Sequence, residues 1–378
     1  MKLLFLTGSR GEWGYIRPIL RLCQRRDVDY NICATNMHLL DSFGLTVEEI
    51  RREGFEVSDE LFMTLDGYNH FTMVKSMGCL LSSFVDVLYR LKPDWLVLAG
   101  DRGEQLAGAI AGSYTYTPVV HIQAGERSGN IDGLARHAIG KLVHLHFAAN
   151  KDAADRLVRL GEEAFRVHTV GAPQLDELRE GLYTGTEALK EKHDFPFDRP
   201  FLLVVQHPVT EEFLASDSQV QAVLGAVSRF DMPKIWILPN SDAGSETIRR
   251  HIVEGRHADT HLYTSLQRQD YLGIMKAAAC MVGNSSSALL EAPTFGVPAV
   301  NLGRRQADRV RAANVIDIAA FDADTIESGI RQACSPEFRR ELEGLENPYG
   351  DGRSAERILD VLESTPRDDR LLIKQMTY

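Results

Sequence analysis

Carboxylates, arginines, glycines and one histidine recur just after short apolar runs, and their types limit the chemistry the chain can do. Asp101 and Glu104 follow the run 95–99 in Gly100-Asp101-Arg102-Gly103-Glu104. An aspartate there is either a helix N-cap or a working carboxylate. After the run 119–122 come Gln123-Ala124-Gly125-Glu126-Arg127, then Asp132, Arg136 and His137. Carboxylates, arginines and a histidine on a loop with glycines suit proton transfer, with a solvated surface loop as the alternative. His207 ends the run 201–205 in Gln206-His207-Pro208, as a structural group or an acid–base one. Gly283-Asn284-Ser285-Ser286-Ser287 leads into Ala288-Leu289-Leu290-Glu291. Small residues opening a helix offer N–H groups and a positive dipole end to a diphosphate, and Glu291 is placed to accept from a ribose diol. A plain serine cap would account for one serine, not three. Thr7-Gly8-Ser9-Arg10-Gly11-Glu12-Trp13-Gly14 matches neither GxGxxG nor GxxxxGK[ST], so nicotinamide and P-loop binding are unsupported. Arg10 could fork onto a phosphate or stay solvated.

The elements that must carry these residues are legible in the hydrophobic pattern. Continuous apolar runs at 3–6, 30–33, 95–99, 119–122 and 145–149 read as strands buried on both faces. Helical patterns at 15–25, 47–53, 72–91 and 104–113 alternate with them. A second series of strands is expected at 201–205, 235–238, 280–282 and 299–302. The fold class is therefore α/β, with two Rossmann-like parallel-sheet domains, an interdomain cleft, and ligands outside the carboxyl ends of the strands. Expected boundaries are 1–185 for the first domain and 201–353 for the second, nucleotide-binding one. A charged, proline-containing linker at 186–200 joins them, and a closing helix and tail fill 354–378.

Composition removes several classes. The chain has 378 residues, a length that suits two domains, with 42 Lys and Arg against 53 Asp and Glu. A net charge of −11 argues against nucleic acid or a membrane surface as partner, though a local basic pocket for one phosphorylated ligand is compatible with it. The apolar runs read as shorter than the ~20 residues a membrane span needs. Cys23, Cys33, Cys79, Cys280 and Cys334 are scattered and never spaced as CxxC, so neither a metal centre nor a disulfide framework is expected. A cytoplasmic protein is the expectation.

The chain resembles the hydrolysing UDP-N-acetylglucosamine 2-epimerase family over nearly its whole length. The resemblance is carried by LTGSR at 6–10, GDRGE at 100–104, GERSGNID at 125–132, RHAIGKL at 136–142 and VGAP at 170–173. It continues through QHPVT at 206–210, PNSDAGS at 239–245, GNSSSALLEAP at 283–293 and NPYGDG at 347–352. Each stretch is short, but their order and spacing together are specific. The resemblance implies two Rossmann-like domains in a GT-B arrangement, no cofactor and no metal. It implies a UDP-linked, possibly GDP-linked, amino sugar as ligand, and a homodimer. It is similar to the branch that makes free 2-epimerised amino sugars for sialic and legionaminic acids, with wording closer to members acting on 2,4-diacetamido-trideoxy sugars.

By that resemblance Asp101 and Asp132 are catalytic carboxylates and His207 the catalytic histidine. Arg10, Ser286, Ser287 and Glu291 contact phosphates and ribose. The binding set extends to Arg136, His137, Asn240, Asp242, Ser245, Gly283, Asn284, Ser285, Arg305, Gln306 and Arg309. Two departures stand out: Gln123 where sialic-acid members carry a glutamate, and Gly133 where they carry a second aspartate. Glu126 is the candidate to replace the missing acid.

In an α-linked sugar nucleotide the axial C1–O bond and axial H-2 are anti, so elimination gives a glycal without redox chemistry. The diphosphate must lead, which calls for donors on it: Arg10, the amides of residues 285–287 and a protonated His207. Returning the proton from the opposite face requires at least two acid–base groups. A non-hydrolysing 2-epimerase, a GT-B glycosyltransferase and a non-catalytic nucleotide-sugar binder are the alternatives.

Overall fold

The computed structural model describes every residue except 67–69, 128–130, 240–243, 376 and 378, and the side chains of His70, Ile131, Asp132, Thr210, Glu211 and Phe213. The expected sites Asn240 and Asp242, and the carboxylate of Asp132, thus lie outside the described residues.

The chain forms two compact units, Met1–Asp176 with Tyr349–Tyr378, and Glu177–Pro348. In the first, β1 (Lys2–Thr7), β2 (Asp29–Thr35), β3 (Asp59–Leu61), β4 (Trp95–Ala99), β5 (Val119–Ile122), β6 (Leu145–Ala148) and β7 (Val167–Thr169) form a parallel sheet in the order β3-β2-β1-β4-β5-β6-β7. In the second, β8 (Leu202–Val205), β9 (Lys234–Ile237), β10 (Thr260–Tyr263), β11 (Cys280–Gly283), β12 (Ala299–Leu302) and β13 (Val315–Ile318) take the order β10-β9-β8-β11-β12-β13. Both orders reverse direction beside their first strand, between β1 and β4 and between β8 and β11.

Unbroken hydrophobicity in β1 follows from helices on both faces. Leu3 and Phe5 enter one core cluster while Leu4 and Leu6 enter the opposite one, all fully buried. Each such side chain stabilises the fold by roughly 1.5–3 kcal/mol. The edge strands β3, β7, β10 and β13 were not evident from hydrophobicity, because most of their residues are only partly buried.

The domain boundaries differ from those expected. The stretch 186–200 is not a free linker: the helix Thr186–Lys192 belongs to the second unit, where Lys192 Nζ reaches Asp270 Oδ1 at 2.9 Å. The helix Ser354–Ser364 belongs to the first unit, placing Ile358, Leu359 and Leu362 in the core that holds Leu3 and Trp95. Asp176 fixes its start by accepting from the N–H groups of Ser354 at 2.9 Å and Ala355 at 2.7 Å. The first unit is therefore discontinuous in sequence.

The helix His70–Leu91 corrects a second expectation. Its segment Phe71–Leu91 is long and apolar enough, with a mean hydropathy of 1.4, to meet the length and composition of a membrane span. Leu80, Phe84, Val87 and Leu88 are nevertheless buried in the first unit's core. Val74 and Tyr89 are exposed.

Replacing Asp176 with alanine should leave two buried N–H groups unsatisfied and lower unfolding free energy by about 1–3 kcal/mol. Urea unfolding followed by circular dichroism checks this; an unchanged midpoint would contradict the capping role.

Candidate functional site

Where strand order reverses, neighbouring strands send their following loops in opposite directions, and a crevice opens at their carboxyl ends. The residues singled out from sequence gather at these two reversals. In the first unit, Gly8–Glu12 follow β1, Gly100–Glu104 follow β4 and Gln123–Glu126 follow β5. In the second, Gln206 and His207 follow β8, Gly283–Ser287 close β11, and Arg304–Arg309 follow β12.

Arg136 organises the first cluster. It projects from the helix Ile131–Leu142, is buried, and pairs with the Asp101 carboxylate while its other terminal nitrogen donates to the Gln123 carbonyl. Asp101 is not the helix cap; Arg102 occupies that position without a side-chain cap bond. Gln123 holds a left-handed φ of 62°, a sparsely allowed conformation for a residue with a side chain. That turn aims its carbonyl at Arg136, so the backbone at this position is used even though the carboxylate is missing. His121 fixes the neighbouring turn by donating from Nε2 to the Gly100 carbonyl at 2.6 Å. Glu126 is buried and accepts from Asn150 Nδ2 at 2.7 Å. Asn150 in turn caps the helix Lys151–Arg159 through the Ala153 N–H, and Arg156 from that helix holds the Gly125 carbonyl at 2.6 Å. Asn150 and Arg156 support the loop but lie outside it in sequence, and no motif flagged them. His137 is half-buried and kept neutral first by burial, then by Arg136, Arg156 and Arg127.

The second cluster is organised by Asn284. Its Oδ1 accepts from the His207 N–H and its Nδ2 donates to the His207 carbonyl, each at 2.8 Å. Its own carbonyl accepts from Gln306 Nε2 at 3.0 Å and Arg305 Nη1 at 3.2 Å. Gly283 must be glycine: φ is 131°, and a Cβ would fall 2.2 Å from the Val205 carbonyl oxygen. The serine loop differs from expectation. Ser287–Leu290 is a single turn, followed by a 3-10 turn at Ala292–Phe295, so little dipole accumulates there. Anion binding would rest on local N–H and side-chain donors instead. Ser287 Oγ already meets Tyr271 Oη at 2.6 Å and Ser285 Oγ at 2.8 Å. Glu291 is buried against Arg268, which also faces Glu177 at 3.5 Å; neither partner was foreseen.

Two further expectations change. Arg10 is half-exposed and bound to Glu49 at 2.7 Å, so a phosphate would have to compete for it. His207 is neutral rather than protonated, because burial and then the Arg305 cation push its pKa down to about 3. Ser245 opens the helix Ser245–Gly255, and Arg309 lies in the loop after β12.

A family model described as UDP-N-acetylglucosamine 2-epimerase matches residues 21–363. A UDP-N,N'-diacetylbacillosamine 2-epimerase (hydrolyzing) of Legionella pneumophila is 37% identical, with 100% of this chain and 99% of that protein covered. A GDP/UDP-N,N'-diacetylbacillosamine 2-epimerase (hydrolyzing) of Campylobacter jejuni is 32% identical over 85% of each chain. In fold, the chain is similar to the UDP-GlcNAc 2-epimerase of Neisseria meningitidis crystallised with UDP-GlcNAc, with a TM-score of 0.84 at 21% identity, covering 97% of this chain and 100% of that one.

The buried imidazoles generate an acid response. His121 and His207 both have pKa values pushed down from 6.5 to about 3, chiefly by burial. Unfolded histidines bind protons below about pH 6.5 where these native ones do not, so stability must fall as pH drops from there toward 3. The thermal midpoint should decline steadily from pH 7 to pH 5; a flat profile would contradict neutral, buried imidazoles.

Proposed function

The chain belongs to the UDP-N-acetylglucosamine 2-epimerase family, and from that premise we propose that it is a hydrolysing nucleotide-sugar 2-epimerase. Its substrate would be a UDP-linked 2-acetamido sugar, most simply the 2,4-diacetamido-trideoxy type. The products would be the free 2-epimerised sugar and UDP. The 37%- and 32%-identical relatives named for diacetylbacillosamine support that sugar. The observation that carries the reaction class is a separation of roles between the two strand reversals. The first gathers carboxylates around Asp101 and Arg136, while the second gathers donors around Asn284, Arg305 and Gln306. Elimination needs such a division, with donors on the departing diphosphate and carboxylates on the sugar.

In this reading the loop at 284–287, Arg305 and Gln306 draw off the diphosphate as the C1–O bond breaks. The neutral His207 imidazole serves as a hydrogen-bond partner, and a dianionic phosphate arriving beside it would favour its protonation. Asp101, oriented by Arg136, removes H-2. Asp132 and Glu126 are the carboxyl groups that return a proton to C2 and activate water at C1. Glu291 accepts from the ribose diol once Arg268 shares it. No redox step is involved.

Product analysis by NMR tests the reading: UDP-linked diacetamido sugar or UDP-GlcNAc should yield free mannosamine-type sugar plus UDP, with one solvent deuterium at C2 in heavy water. Recovery of an intact epimeric nucleotide sugar would instead establish the non-hydrolysing reaction. Glu126→Gln should lower turnover at least about 10²-fold, the lower range for an acid–base group. A variant with full turnover would reduce Glu126 to a partner of Asn150.

A homodimer is part of the proposal. The helix His70–Leu91 leaves Val74, Val85 and Tyr89 exposed along one face, an apolar strip that a second copy would cover. Sedimentation should give twice the chain mass, and Val74→Glu should shift it toward the single-chain value.

A further inference from the structure

Two buried carboxyl groups meet at the end of β1, and the proposed chemistry uses neither. Glu12, on the helix Arg10–Arg26, and Glu104, on the helix Gly103–Tyr114, are each 2% exposed. Glu12 Oε2 accepts from the Gly8 N–H at 2.5 Å. A Cβ on Gly8 would lie 2.4 Å from Glu104 Oε1, so the bare glycine is what admits the Glu104 side chain. Glu104 Oε1 accepts from Asn36 Nδ2 at 3.1 Å and Arg102 Nε at 3.2 Å. Glu12 Oε1, by contrast, is buried with no hydrogen-bond partner.

An ionised Glu12 would leave a buried, charged oxygen that makes no hydrogen bond, an arrangement proteins avoid. Protonated, that oxygen becomes a donor, and the Glu104 carboxyl group flanks the same glycine. Burial first, and then repulsion from Glu104, raise the proton affinity of Glu12 well above the ordinary carboxylate range; Arg102, the Gly8 N–H and the Gln105 side chain oppose the effect without reversing it. Other groups nearby are accounted for. Gln105 anchors Ala99 N and the Leu6 carbonyl, and Arg10 is tied to Glu49. His38, whose Nε2 meets Thr7 Oγ1 at 3.0 Å, is held neutral by burial, with its pKa down at about 4.

We propose that Glu12 is a positioning residue carrying a proton held against Glu104, and that this proton ties the turn presenting Arg10 to the turn presenting Asp101. The connection is short on both sides. Glu12 grips the Gly8 N–H two residues before Arg10, and Glu104 grips Arg102, the residue after Asp101. Losing the proton would set two like charges against each other at the joint between these turns. The kinetic part of the test rests on the proposed epimerase reading; the spectroscopic part does not.

The test compares Glu12→Gln and Glu12→Ala with the unaltered full-length chain. Glutamine copies the neutral acid, so Glu12→Gln should keep turnover and lose the alkaline decline of kcat/KM that Glu12 imposes. Glu12→Ala removes the tie and should lose about 10²-fold, the scale of a small misplacement at a reacting centre. Difference infrared spectroscopy at neutral pH should show a protonated carboxyl C=O band that Glu12→Gln abolishes. The thermal midpoint should fall as pH rises above the ordinary carboxylate range, and fall less steeply in Glu12→Gln. Glu12→Gln as damaged as Glu12→Ala, an unchanged pH profile, or no lost band would each overturn the proposal. If Glu12→Ala does not fold, Glu12→Gln and the infrared band decide. If the unaltered chain turns over no nucleotide sugar, the epimerase reading fails, and the band and midpoints still judge the shared proton.

Discussion

One asparagine side chain holds the second unit's site together. Strands β8 and β11 lie side by side, but the loops that leave them diverge, so the backbone of His207 has no strand neighbour at the point of departure. Asn284 supplies one, matching both the N–H and the carbonyl of His207 with its single amide. The fit depends on Gly283, because any side chain there would collide with the Val205 carbonyl. From the same residue, the Asn284 carbonyl receives Arg305 and Gln306. The His207 backbone, the Arg305 guanidinium and the Gln306 amide are thereby held relative to one another by a neutral group.

The first unit solves the corresponding problem with charge. Arg136 spans the loops after β4 and β5, joining the Asp101 carboxylate to the Gln123 carbonyl. A buried ion pair of this kind is strongly directional and costly to break from one side. The two units thus share a strand order and differ in electrostatics: one is built on a neutral clamp amid donors, the other on a paired carboxylate.

Much of this was legible in the sequence. Central strands such as 95–99 and 299–302 are buried on both faces and therefore continuous in hydrophobicity, which makes them visible. The residues after them sit at the strand reversals because parallel α/β sheets put ligand-facing loops there. What was hidden depended on contacts distant in sequence. Arg268 meets Glu291, and Asn150 meets Glu126, through packing that no local spacing encodes. The charge of His207 was misjudged for the same reason: its burial and the nearness of Arg305 arise only on folding. The linker reading of 186–200 failed because its charges are satisfied by folded partners such as Asp270 rather than by water.

The return of the chain to its first unit has a consequence for how the protein is made. The core around Leu3 and Trp95 needs Ile358, Leu359 and Leu362, which leave the ribosome only after the whole second unit. Until then the sheet carrying Asp101 lacks one of its covering helices, and Asp176 has no helix to cap. The second unit, continuous in sequence, can close on itself first, so the order of completion reverses the order of synthesis. A nascent chain stalled before Tyr349 would expose apolar surface to chaperones while already holding a finished Asn284 clamp.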